Sequence, residues 1–228
     1  LKGKGFDISA AGDLDKRLAF DAQVGDLGLL IPQTAGEFRA DGWVRWHDGR
    51  LDGSLTGRGR NLAAGGVRVA AASLAARLGE GKGYPLHVTA TLRKAAYEEF
   101  QAESVTLEAD GTALRHALNA ALNATGAEAR ITLSGAYDSG SWQGQIVRFS
   151  GRDRVGLWSL AAPAALSIAG GHVTLAPLVL TGAAPERIEV SGEFTRAPLG
   201  GTVRTAWSGL NLVRLNPWLT EVRVGGAS

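Results

Sequence analysis

The sequence predicts an all-β fold, an elongated, antiparallel-rich sheet of short strands, and three observations carry the prediction. Apolar and polar residues alternate with period two in run after run. Glycine supplies 32 of the 228 residues, about twice its usual share, and falls between the apolar runs, where turns and bulges need it. Turn pairs such as Asp48–Gly49 join runs that read as strands on both sides.

The elements follow in chain order. Leu18, Phe20, Ala22 and Val24 alternate with Arg17, Ala19, Asp21 and Gln23. The segment Trp43–Gly57 reads as two strands around a turn at His47–Arg50. Leu86, Val88, Ala90 and Leu92 form the next clear face, and Val105, Leu107 and Ala109 the one after. Runs at Ile131–Tyr137, Gln145–Phe149 and Val173–Val179 repeat the pattern, followed by Ile188, Val190 and Phe194 and then Gly201–Trp207. Pattern alone counts roughly twelve to sixteen strands. Two stretches fit both periods. Leu74 and Leu78 lie four apart, and Leu114, Leu118 and Leu122 satisfy i, i+4 and i+8. Ala and Leu favour helix there, whereas the neighbouring strands and flanking glycines favour strand. No compositional break marks a boundary, so residues 1–228 are expected to form one continuous sheet segment.

Composition removes several function classes. Absent cysteine excludes thiol catalysis and cysteine-held metal clusters. Twenty-four Lys plus Arg against 22 Asp plus Glu leave a net charge of +2, and no basic run reaches five residues, so a nucleic-acid partner is not expected. The densest basic feature is Gly57–Arg58–Gly59–Arg60, which lacks the rest of a nucleotide fingerprint. The apolar stretch Leu160–Ala169, broken by Pro163, is too short to span a bilayer. Leu1 in place of an initiator methionine, with no methionine anywhere, predicts a piece of a longer protein whose membrane anchor lies elsewhere.

No constellation points to an enzyme, a cofactor or a metal. His47, His87, His116 and His172 are scattered and lack ligand spacing. His116, between Leu114 and Leu118, reads as a hydrogen-bonded structural histidine. Asp7, Asp13 and Asp15 lack calcium-loop spacing. Glu98 and Glu99 are adjacent, so in a strand they would point to opposite faces, and a solvated loop suits them better. The six tryptophans, Trp43, Trp46, Trp142, Trp158, Trp207 and Trp218, suit ordinary core and edge packing, or a groove rim where an apolar body and a polar N–H are both useful.

The predicted inner face leaves two architectures open. Two such faces closed on each other make a sandwich. A sheet left open exposes an apolar trough that could hold alkyl chains, at about 0.8 kcal/mol per CH₂ removed from water. Small inward residues such as Ala22, Ala90, Ala109 and Ala120 leave room for the second. The candidate groove-lining residues are Leu18, Phe20, Val24, Leu86, Val88, Leu92, Val105, Leu107, Leu114, Leu118, Ile131, Leu133, Val173, Leu175, Ile188, Val190 and Phe194.

Ordered landmarks then carry a resemblance. Gly12–Leu14, Asp26–Gly28, Pro32 and Gly36 come first, then Leu51–Leu55, Asn61–Leu62 and Gly66–Val69. Leu107–Thr112, Ser141–Gly144, Leu157–Leu160 and Trp207–Leu215 complete the series. The chain resembles part of the periplasmic region of the TamB family, the translocation and assembly module subunit, within the AsmA-like group of bridge-like lipid-transfer proteins. The resemblance implies a β-taco, a long curled sheet with an apolar groove. It implies a Gram-negative periplasmic protein held at the inner membrane by an anchor outside this chain. It also implies the outer-membrane barrel TamA as partner, through regions outside this chain, and phospholipid acyl chains as cargo. A scaffold that pairs with strands of outer-membrane client proteins is the alternative role.

Overall fold

The computed structural model describes residues 1–79, 84–112, 114–183, 185–196 and 199–214. Leu215 and Trp218, singled out above, lie outside them. The elements are β1 (Lys2–Gly3), β2 (Phe6–Asp13), β3 (Arg17–Val24), a 3-10 turn (Leu27–Leu29), β4 (Thr34–His47), β5 (Arg50–Ala64), β6 (Val67–Leu78) and β7 (Pro85–Tyr97). They continue as β8 (Phe100–Thr112), β9 (Arg115–Ala124), β10 (Ala127–Asp138), β11 (Ser141–Arg152), β12 (Leu157–Leu160) and β13 (Ala164–Ala169). The last three are β14 (His172–Thr181), β15 (Arg187–Arg196) and β16 (Leu199–Ser208). The expected all-β, antiparallel fold is what the chain adopts. Hydrogen-bonded order follows chain order, except that β12 and β13 share the gap between β11 and β14. These two are one interrupted strand. Pro163 sits in the break, where a ladder N–H would otherwise be required.

Both ambiguous stretches are strand: Ser73–Leu78 ends β6, and 115–124 is β9. Sheet pairing overrides the helix preference of Ala and Leu. Circular dichroism is expected to report less than about 15% helix, against the usual third; more than about 30% would refute the fold.

The Asp48–Gly49 turn shows how the sequence sets register. Both residues have positive φ, 49° and 73°, the backbone of a two-residue hairpin turn whose twist matches the strands it joins. His47 consequently faces Arg50, and the β4–β5 ladder runs from there.

The chain divides into two compact units, residues 1–116 with 120–125, and residues 117–119 with 126–228. In the first, β1 to β8 form a meander in which each strand pairs with its sequence neighbours. In the second, β10 to β16 do the same around the split strand. Among the described residues no large side chain falls below 2% exposure. Most residues of the apolar faces are half-buried, while Val24, Ala40, Ala109, Ile146 and Ala164 are buried.

Candidate functional site

In the first unit, register assembles the apolar residues into cross-strand rows. Leu18 pairs with Val44, Val44 with Gly53, Gly53 with Leu78 and Leu78 with Leu86. The next row runs Phe20, Gly42, Leu55, Ala76, Val88, Ala109. Below it lie Ala22, Ala40, Gly57, Leu74, Ala90, Leu107, and then Val24, Phe38, Gly59, Ala72, Leu92, Val105. No charged or polar side chain interrupts these rows. The opposite face carries Asp21, Asp41, Thr56, Thr89 and Glu108 at matching levels. All eight candidates between Leu18 and Leu107 therefore share one face of the sheet.

A line of backbone breaks crosses this face. Gly36 and Asn61 fall out of register between β4 and β5, and the skipped level continues through Ala70, Lys94 and Glu103. Gly36, Asn61 and Lys94 have φ of 109°, 50° and 50°. Strict alternation would turn the following residues to the polar side. Instead Val69 is 8% exposed and Ala102 2% exposed, with Leu62 and Ala95 half-buried at the same level. The break shifts the phase of alternation, and the apolar lining gains a further row.

The second unit repeats the arrangement. Tyr137, Trp142, Ile168, Val173, Phe194 and Gly201 make one row, and Gly135, Gly144, Leu166, Leu175, Gly192 and Val203 the next. Leu133 pairs with Ile146 and Ile146 with Ala164. Leu180, Ile188 and Trp207 align, as do Leu178, Val190 and Thr205, while Ile131 pairs with Phe149. Around β9, Leu114 lies in the turn before the strand and is 68% exposed. His116 is half-buried, with Nδ1 3.0 Å from the Thr112 carbonyl, and Leu118 is half-buried.

A family model for the TamB N-terminal domain matches residues 4–221. The chain belongs to the TamB family. No curated protein and no solved structure matches it. TamB proteins act in the translocation and assembly module and in outer-membrane biogenesis in the Gram-negative envelope, and TamA is their partner at the family level.

Other residues singled out in this TamB domain occupy ordinary positions. Glu98 and Glu99 form the exposed β7–β8 turn. His87 pairs with Asp110 across β7 and β8 on the polar face. Trp43 is 9% exposed, with Arg17 4.7 Å above its ring. Among the described residues no group of three side chains could hold a metal ion.

Sequence reasoning missed two charge clusters. Arg45 pairs with Asp52 directly across β4 and β5. This pairing holds the Asp52 carboxyl below its ordinary value against the opposing effect of burial. Arg214 grips Glu186 in a fork, Nε to Oε1 at 2.8 Å and Nη2 to Oε2 at 2.6 Å. It also binds Asp153 and stacks 4.5 Å from the Trp158 ring. The Arg214 and Glu186 side chains are 6% and 5% exposed. Arg214 pulls Glu186 down in pKa, with burial opposing. Burial pushes Asp153 up, but the N–H groups of Gly156 and Val155, with Arg214 and Trp158, outweigh it and leave the carboxyl lowered.

Carboxyls lowered on folding stabilise the fold above their unfolded values, 3.8 for Asp and 4.5 for Glu. That contribution disappears as pH falls through the folded values. Thermal midpoints measured against pH are expected to be level near neutrality and to drop steeply below about pH 4. A midpoint that rose on acidification would contradict these clusters.

Proposed function

We propose that this domain is a non-enzymatic conduit, in which the apolar face of each unit carries phospholipid acyl chains between the inner and outer membranes. The observation that carries the reading is the set of charge-free rows, largely half-buried, that back onto a polar face and persist through the shift in alternation. An exposed apolar face of this extent needs an occupant. Apolar contact is non-directional, so acyl tails could slide along it while head groups stay in water. Affinity should then rise with chain length and depend little on salt. The periplasm, with the full-length protein anchored in the inner membrane, is the compartment that fits such a role.

The experiment is photo-crosslinking in the full-length protein, with the probe placed in turn at Phe20, Leu107, Leu175 and Ile188. Lipid adducts at all four positions, and none at Thr106 or Glu108 on the polar face, are expected. Absence of lipid at the inward positions would refute the conduit.

One observation favours a second role. The described residues 200–208 of β16 are all exposed, and β16 ends the strand order. Its outer backbone groups, without a strand partner among the described residues, offer a template for a client strand. Protein crosslinks confined to β16 would assign the domain to scaffolding.

A further inference from the structure

The polar face of the first unit is not evenly charged. Arg39 and Arg58 lie directly opposite each other on β4 and β5. Arg60 follows Arg58 two residues on and shares its face. Arg93 lies at the level of Arg60, reached through Ala71 on β6, at two strand spacings or about 10 Å. Arg68, opposite Ala63, lies three residues further along β6 towards the strand ends. All five are exposed, and none forms an ion pair among the described residues. The carboxylates at these levels, Glu37 opposite Arg60 and Glu103 on β8, leave a local excess of positive charge. Like charges directly opposite in a ladder destabilise it, so the Arg39–Arg58 pair has no structural return.

The strand ends beside this patch are apolar. The β3–β4 loop presents Leu29, Leu30 and Ile31 at 55%, 42% and 53% exposure. Tyr97 and Phe100, paired where β7 turns into β8, are 49% and 39% exposed. Glu98 and Glu99 lie between them at the turn. Consecutive exposed aliphatics on a loop, aromatics along the same edge and arginines on the adjoining face combine the features of an interfacial membrane surface.

We propose that this edge of the first unit docks on an anionic bilayer. Leu29, Leu30 and Ile31 enter the acyl boundary, Tyr97 and Phe100 sit at head-group level, and the arginine patch faces lipid phosphates. The site is separate from the apolar rows of the conduit and stands without them.

Flotation of the 228-residue chain with phosphatidylcholine vesicles, with and without phosphatidylglycerol, tests the proposal. Binding is expected to anionic vesicles, to weaken between about 0.1 and 0.5 M salt, and to fall at least about tenfold in Arg58→Glu/Arg60→Glu. Leu30→Asp/Ile31→Asp should lose it as well, with Leu30→Ser/Ile31→Ser as a milder pair if the first misfolds. Leu107→Asp, on the conduit face, should bind vesicles normally, so failure of the conduit and failure of docking remain distinguishable. Equal binding to neutral and anionic vesicles would overturn the proposal, as would binding that survives both sets of variants. So would loss of a protein partner from the same variants when vesicles never bind.

Discussion

Leu107→Asp is expected to leave the sheet folded and to slow lipid transfer in the full-length protein on the order of a hundredfold. Leu107 on β8 ends the row that runs from Ala22 through Leu74 and Ala90, and lies mid-strand between Val105 and Ala109 of the neighbouring rows, with Thr106 and Glu108 on the opposite face. Because it is half-buried rather than sealed in a core, the carboxylate can stay hydrated while that face is unoccupied. An acyl chain passing that level would have to strip the charge of water without offering a partner. A cost of about 3 kcal/mol for that contact corresponds to roughly two powers of ten in rate. Thr106→Asp, one residue away on the polar face, is expected to transfer lipid normally. A folded Leu107→Asp protein with normal transfer would rule out passage along these rows.

Arg214→Ala is expected to destabilise the second unit by about 3 kcal/mol, since it leaves Glu186 buried without its cation. For a chain of this size that is a fall of roughly 6–12 °C in the thermal midpoint. Arg214→Lys keeps the charge but cannot reproduce the fork, and should fall between. The double variant Arg214→Ala/Glu186→Ala should lose less than the two single variants summed, because the orphaned charge has gone. Strict additivity would mean the contact carries no stability.

The sequence made the fold legible wherever signals were local. Asp48–Gly49 announces its hairpin because few residue pairs accept two positive φ angles. The faces of β3, β7 and β8 emerge from alternation because one side meets water and the other does not. The phase shift could not be read. Lys94 and Asn61 adopt left-handed backbone without being glycine, so nothing local warns that Ala102 belongs with Val105 and Leu107. The Arg214 cluster joins residues 28 and 61 positions apart, a proximity that only the folded chain creates. At β9 the leucine spacing suits two periods equally, and neighbouring strands decide.

Neighbour-only pairing also shapes how the domain comes into being. Apart from the split strand β12–β13, each strand completes its ladder with the strand just made, so loop closure stays short and its entropic cost small. Such a chain is expected to zip up hairpin by hairpin as it is made, without waiting for its C-terminal part. The same wiring confines damage, because each ladder depends only on the strands beside it. A lesion in β15 should unravel β14 and β16 well before it reaches β4.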